Sequence, residues 1–194
     1  MSPGSAMSAA VSRALAAELG SRTRWDEGPC LYTIRMSRDR CQLTPVPVPQ
    51  AWWASGNPAD VVDAVAGLAA SVRGMPGIRM RPDLYGIALR FEGWDLPWAD
   101  LGPEGHRQAV ADAAAHRVHA RPDRIEVRIL AGVDRTGTAY ETRQQRGWPE
   151  IYQAVFAPGR GPVGAVPDAL RRVTAALTGV RLQQQEDPGH EPWQ

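Results

Sequence analysis

Two stretches alternate in polarity with a period of two, and they limit the fold more than any other feature of the chain. In LYGIALRF, Tyr85, Ile87, Leu89 and Phe91 alternate with Gly86, Ala88, Arg90 and Glu92. In IEVRIL, Ile125, Val127 and Ile129 alternate with Glu126 and Arg128. Successive side chains on a strand point to opposite faces, so this pattern describes half-buried strands. Strands with one polar face imply an antiparallel or mixed sheet covered by helices on one side.

The other segments supply helices and further strands. Met7, Val11, Leu15 and Leu19 recur every fourth residue, which predicts a helix over about Ala6–Leu19 with Gly20 after its end. LYTIRM and CQLTPVPV follow as strands, and Pro45, Pro47 and Pro49 push the second to a sheet edge or end it early. Asn57-Pro58 joins a capping residue to proline at the first helical position. Val61, Val62, Val65, Leu68 and Val72 then form an apolar stripe ending at Gly74. Pro103 opens an alanine-rich helix reaching about His119, and Asp134-Arg135-Thr136-Gly137 is a hairpin turn into TAYETRQ. IYQAVF adds a short strand, and Pro167 starts a last helix carrying Leu170, Val173 and Leu177. Arg-Pro-Asp occurs at 81–83 and again at 121–123, each time ahead of an alternating strand. Proline keeps the preceding arginine extended and so marks a strand start.

The expected fold is therefore α+β: a two-layer, mainly antiparallel or mixed sheet of about five strands with helices packed on one face. Residues 1–182 would form one domain and 183–194 a polar tail. The open face would show Arg35, Arg90, Glu126, Arg128, Glu141 and Arg143. Interleaved charges of both signs predict a solvated, cross-strand-paired surface, the sharper reading being a docking face for an acidic protein partner.

Charge narrows the function classes. The chain has 22 basic residues, all arginine, against 21 acidic ones, for a net charge of +1. A general polyanion binder carries a clear basic excess. The segment from Arg121 to Arg146 holds six arginines against four carboxylates, too thin an excess to favour nucleic acid. No apolar run approaches the roughly 18 residues a membrane span needs. Arg13 and Glu18 interrupt the N-terminal apolar stretch, which makes a poor secretory signal and points to the cytoplasm. Pairing the first two strands around residues 37–40 sets Met36 opposite Cys41 and Cys30 opposite Pro47. The thiols then lie too far apart for a disulfide.

Short catalytic motifs are missing, and no cofactor is expected. Gly159-Arg160-Gly161-Pro162-Val163-Gly164 spells a glycine-rich phosphate loop, but Pro162 removes a backbone donor and too little chain follows for a returning strand. Asp112, His116 and His119 stand at i, i+4 and i+7, a spacing that on one helix could hold a divalent metal; histidines near a helix end are equally at home as solvated or capping groups. A metal-dependent enzyme built on that face is the catalytic alternative, and a nucleic-acid-associated protein the third reading. Trp52-Trp53 and the pair Trp94 and Trp98 lie in two connections that, at one sheet edge, would make an aromatic rim beside Arg35 and Arg90. Tryptophan and arginine are enriched where surfaces are buried on binding, although such rings also plug the ends of a core. The leading expectation is a non-catalytic binding or accessory protein acting through protein–protein contacts, with a homodimer also open to it.

The stretch from His116 to Arg128, HRVHARPDRIEVR, together with VDRTG at 133–137, resembles segments of uncharacterised Streptomyces-type and actinophage or plasmid proteins. A basic set without lysine, rich in company with alanine, glycine and proline, fits such a GC-rich origin. The resemblance implies an origin and no activity.

Overall fold

The computed structural model describes residues 3–38, 40–54, 56–73, 75, 81–97, 100–115, 117–162, 164–180 and 182. In chain order the elements are α1 (Pro3–Gly20), β1 (Cys30–Ser37), β2 (Arg40–Pro45), α2 (Gln50–Trp53), α3 (Pro58–Arg73), β3 (Leu84–Asp95), α4 (Pro103–Ala114), a 3-10 turn (Val118–Ala120), β4 (Ile125–Asp134), β5 (Ala139–Gln145), β6 (Ile151–Phe156) and α5 (Ala165–Thr178). The strands form one antiparallel sheet in the order β2-β1-β3-β4-β5-β6. The α+β class expected from the sequence holds, with six strands rather than about five.

Helices cover both faces, however, not one. On one side Val11, Leu15 and Leu19 of α1 pack on Tyr32, Ile34, Tyr85, Ala88, Leu130 and Tyr140. On the other, α3 and α5 bury Val62, Ala66, Leu170 and Val173 against Leu31, Ile87, Leu89, Ala131 and Val133. Each large aliphatic side chain removed from water in this way contributes about 1.5–3 kcal/mol. Double coverage explains why residues 85–89 of β3 are all buried despite their alternating sequence. It also corrects the apolar stripe of α3: Ala59, Val61, Val62, Ala66 and Ala69 face inward, while Leu68 is exposed.

Local chemistry accounts for most boundaries. Asn57 Oδ1 accepts the Ala59 N–H at 3.0 Å and starts α3. Gly179, in the left-handed region with φ of 78°, closes α5, and the Arg73 guanidinium at the end of α3 reaches the Ala175 and Ala176 carbonyls beside it. The β4–β5 turn is built on Asp134, whose Oδ1 accepts the Thr136 and Thr138 amides at 2.8 and 3.2 Å. Its Oδ2 accepts the Tyr140 hydroxyl at 2.7 Å. In β3 the ladder to β1 skips Tyr85, a bulge that turns this ring towards α1. Gly86 beside it is required by space: a Cβ there would meet the Val133 carbonyl oxygen and lie 2.8 Å from the Asp134 Cα.

Met36 pairs with Cys41 as the sequence predicts, but β2 leaves the ladder at Pro45 opposite Tyr32, so Cys30 has no partner at Pro47. Cys30 lies six positions along β1 from Met36, about 20 Å at strand rise. Both cysteines are free thiols. Both Arg-Pro-Asp sequences stand at strand starts and fold alike: Arg81 Nε donates to Asp83 Oδ1 at 3.1 Å, and Arg121 Nε to Asp123 Oδ1 at 2.8 Å. Among the described residues no helix is long and apolar enough to cross a membrane. The predicted tail, residues 183–194, lies outside the described residues.

Candidate functional site

The residues proposed for an aromatic rim do not come together. Trp53 is 9% exposed and belongs to the core beneath α3 and α5. Trp52, one position earlier, is exposed on α2. Trp94 continues the row of Arg90 and Glu92 on the opposite, α1-side face, with Arg124 stacked 4.5 Å from its ring centroid. Trp98 lies outside the described residues. Arg35 is held by Asp83, and Arg90 is buried, donating to Glu27 Oε2 at 2.6 Å and to the Gly28 carbonyl at 3.2 Å.

Nor is the charged row of the sheet a solvated surface. Arg128 is 0% exposed. Its guanidinium donates to Glu92 Oε1 at 2.9 and 2.8 Å and to the carbonyls of Arg22 and Arg24, and it stacks 4.6 Å from the ring centroid of Trp25. Glu92 also accepts the Asp26 amide at 2.7 Å, and Arg146 bridges Asp26 and Glu126 while lying 5.5 Å from the same ring. The α1–β1 connection, residues 21–29, thus straps the half of the face that α1 leaves open. Beside it Arg22 and the Tyr32 hydroxyl both bind Glu18. Burial alone would raise this carboxyl, but those two hydrogen bonds outweigh it and its pKa falls below the ordinary value. Asp26, Glu92 and Glu126 bring carboxylate oxygens within 4.8 Å of one another, yet Arg128 and Arg146 already neutralise them.

The predicted metal face is also replaced by ion pairs. α4 ends at Ala114 and His119 falls in the 3-10 turn, so Asp112 and His119 share no helix face. His116 lies outside the described residues. The Asp112 carboxylate accepts from Arg121 and Arg117 at 2.9 Å each and from Gln108 at 3.2 Å. These donors hold its pKa below the ordinary aspartate value, Arg121 most strongly. A carboxylate already met by two guanidinium groups is a poor metal ligand.

The arginines that motivated a nucleic-acid reading are engaged likewise. Arg121, Arg128, Arg143 and Arg146 are ion-paired, and Arg124 and Arg135 lie over Trp94 and Tyr85. The loop 159–164 connects an edge strand to α5, and Val163 in it lies outside the described residues.

Among the described residues, a cleft suited to a partner lies where the sequence singled nothing out. On the α3/α5 side, beyond the reach of those helices, the sheet floor is Ile125 and Val127 of β4 with the buried Leu96. Around it Asp95, Asp100, Arg143, Glu150, Trp148 and Tyr152 complete an open groove of about 760 Å³. Arg143 donates to Asp95 at 2.6 Å and lies 5.3 Å from the Tyr152 ring centroid. Trp148 and Tyr152 are 61% and 63% exposed, the two most exposed aromatic rings among the described residues. Rings held this far into water on a formed groove are characteristic of binding surfaces.

The groove opens beside β6, an edge strand of the sheet with no further strand beside it among the described residues. IYQAVF carries neither charge nor proline, and its backbone pairs with β5 alone among the described residues. The other edge is blunted in the usual way, by Arg40 and by prolines at 45, 47 and 49. The available signal was this pair of edges, one guarded and one bare.

No protein-family model, curated protein or solved structure matches the chain.

Proposed function

We propose that this protein is a non-catalytic binding module that receives an extended segment of a partner protein along β6 and into the adjoining groove. The observation that supports the reading most is the β6 edge, unpaired on its outer side among the described residues, with Trp148 and Tyr152 standing exposed beside it. An added strand would satisfy the outward backbone groups of β6 and give affinity, while the groove reads alternate side chains and gives specificity. The Asp112 carboxylate, the ligand on which the metal-dependent alternative was built, is closed off by Arg117 and Arg121.

The test is to pan a randomised ten-residue peptide library against the protein, with Trp148→Ala/Tyr152→Ala as counter-selection. The expected peptides slow hydrogen exchange of the amides in residues 151–156 and bind the double variant at least tenfold more weakly. Peptides that bind both proteins equally, or no enrichment at all, would overturn the reading. Native mass spectrometry of the free protein separates the remaining occupant, a second copy of this chain paired through the same edge.

A further inference from the structure

We infer that the segment taken by the groove is cationic, and that it delivers an arginine side chain against Trp148 between Asp100 and Glu150. This rests on the reading of the groove as a partner site. Among the described residues, the carboxylates of Asp95, Asp100 and Glu150 line it against the guanidinium of Arg143. Asp95 is met by Arg143, but Asp100 and Glu150 form no salt bridge with any described residue. Trp148 has no guanidinium over its ring among the described residues, whereas Tyr152 has Arg143.

The chain itself displays the completed form of this arrangement elsewhere. Around Trp25, the carboxylates of Asp26, Glu92 and Glu126 are met by Arg128 and Arg146, and both guanidinium groups lie over the ring. Trp94 is likewise covered by Arg124. Among the described residues, the groove has the ring and the acids of the Trp25 cluster without the second arginine. A planar guanidinium can stack on indole while its edge donates to a carboxylate, which an ammonium does less well, so arginine is favoured over lysine.

Two ten-residue peptide libraries test this, one with all residues and one without arginine and lysine. Both are panned on the full chain at physiological salt. The expected result is groove binders from the first library only, with arginine outnumbering lysine among them. Replacing that arginine by norleucine should weaken a selected peptide at least tenfold, and Asp100→Asn/Glu150→Gln should reduce the difference to under threefold. Binders of equal affinity from the cation-free library, still sensitive to Trp148→Ala/Tyr152→Ala, would overturn the cationic assignment and leave the groove reading standing. No binders from either library would remove both.

Discussion

Arg128 and Glu92 face each other across β4 and β3 as a register pair, and they meet beneath the indole of Trp25 rather than in solvent. Removing one partner of a buried pair leaves the other charge without compensation, which costs about 3–5 kcal/mol. Arg128→Ala should therefore lower stability by about that amount in urea unfolding. Arg128→Lys should recover only part of it, because an ammonium cannot fork to Glu92 and the Arg22 and Arg24 carbonyls while stacked on Trp25. An unfolding midpoint close to the wild type in either variant would mean that the strap, not the pair, carries the stability.

The tryptophans divide by burial. Trp53→Ala should cost about 3–5 kcal/mol, since it empties a position packed in the core with Val61, Val62 and Leu31. Trp148→Ala should change stability by no more than about 0.5 kcal/mol, because its ring stands in water. Thermal melts of the two variants in parallel check the contrast. A large loss with Trp148→Ala would make that ring structural and weaken the case for the groove.

Much of the sheet was legible because its signals are local. Alternation placed β3 and β4, the Asp134 turn fixed the β4–β5 hairpin, and Asn57-Pro58 marked the start of α3. The burial of Arg90 and Arg128 was not legible, since it depends on residues 21–29 folding back over strands more than sixty positions away. Read alone, those arginines look solvated. The end of α4 was missed for a related reason: Asp112 is claimed by Arg117 and Arg121 downstream, and the Asp112 carbonyl accepts the Arg117 amide at 2.7 Å as the chain turns. The groove was not legible either, because Trp148 and Tyr152 join Asp95, Leu96 and Ile125 only once the β5–β6 hairpin has docked on β4.

Acid should unfold the protein over a defined window. Arg81 and Arg35 hold the Asp83 carboxyl down at about 2, whereas an unfolded aspartate titrates near 3.9, roughly. Glu18, Asp112 and Asp123 shift in the same direction, Asp123 through Arg121. The folded state then binds fewer protons than the unfolded chain, so this stability is complete above about pH 4 and lost as pH falls towards 2. Urea midpoints measured from pH 7 to pH 2 should show Asp83→Asn below the wild type at neutrality and converging with it at the acid end. Parallel curves for the two proteins would show that Asp83 contributes nothing through its charge.

Cys41 should be a slow thiol. It packs against the rim of the α1-side core, and burial pushes its pKa up to about 11. At pH 8 such a thiol is about 0.1% ionised, against about a quarter for a free cysteine near 8.5. Its more basic thiolate is the better nucleophile and returns about tenfold of that deficit. In Cys30→Ser, which isolates Cys41, iodoacetamide should therefore react about twentyfold more slowly than with glutathione. The rate should keep rising about tenfold per pH unit to pH 10, where glutathione has levelled off. Unfolding in urea should bring the two rates together. A Cys41 rate equal to that of glutathione in the folded protein would mean that this edge of the sheet opens readily, and that α1 does not hold it closed.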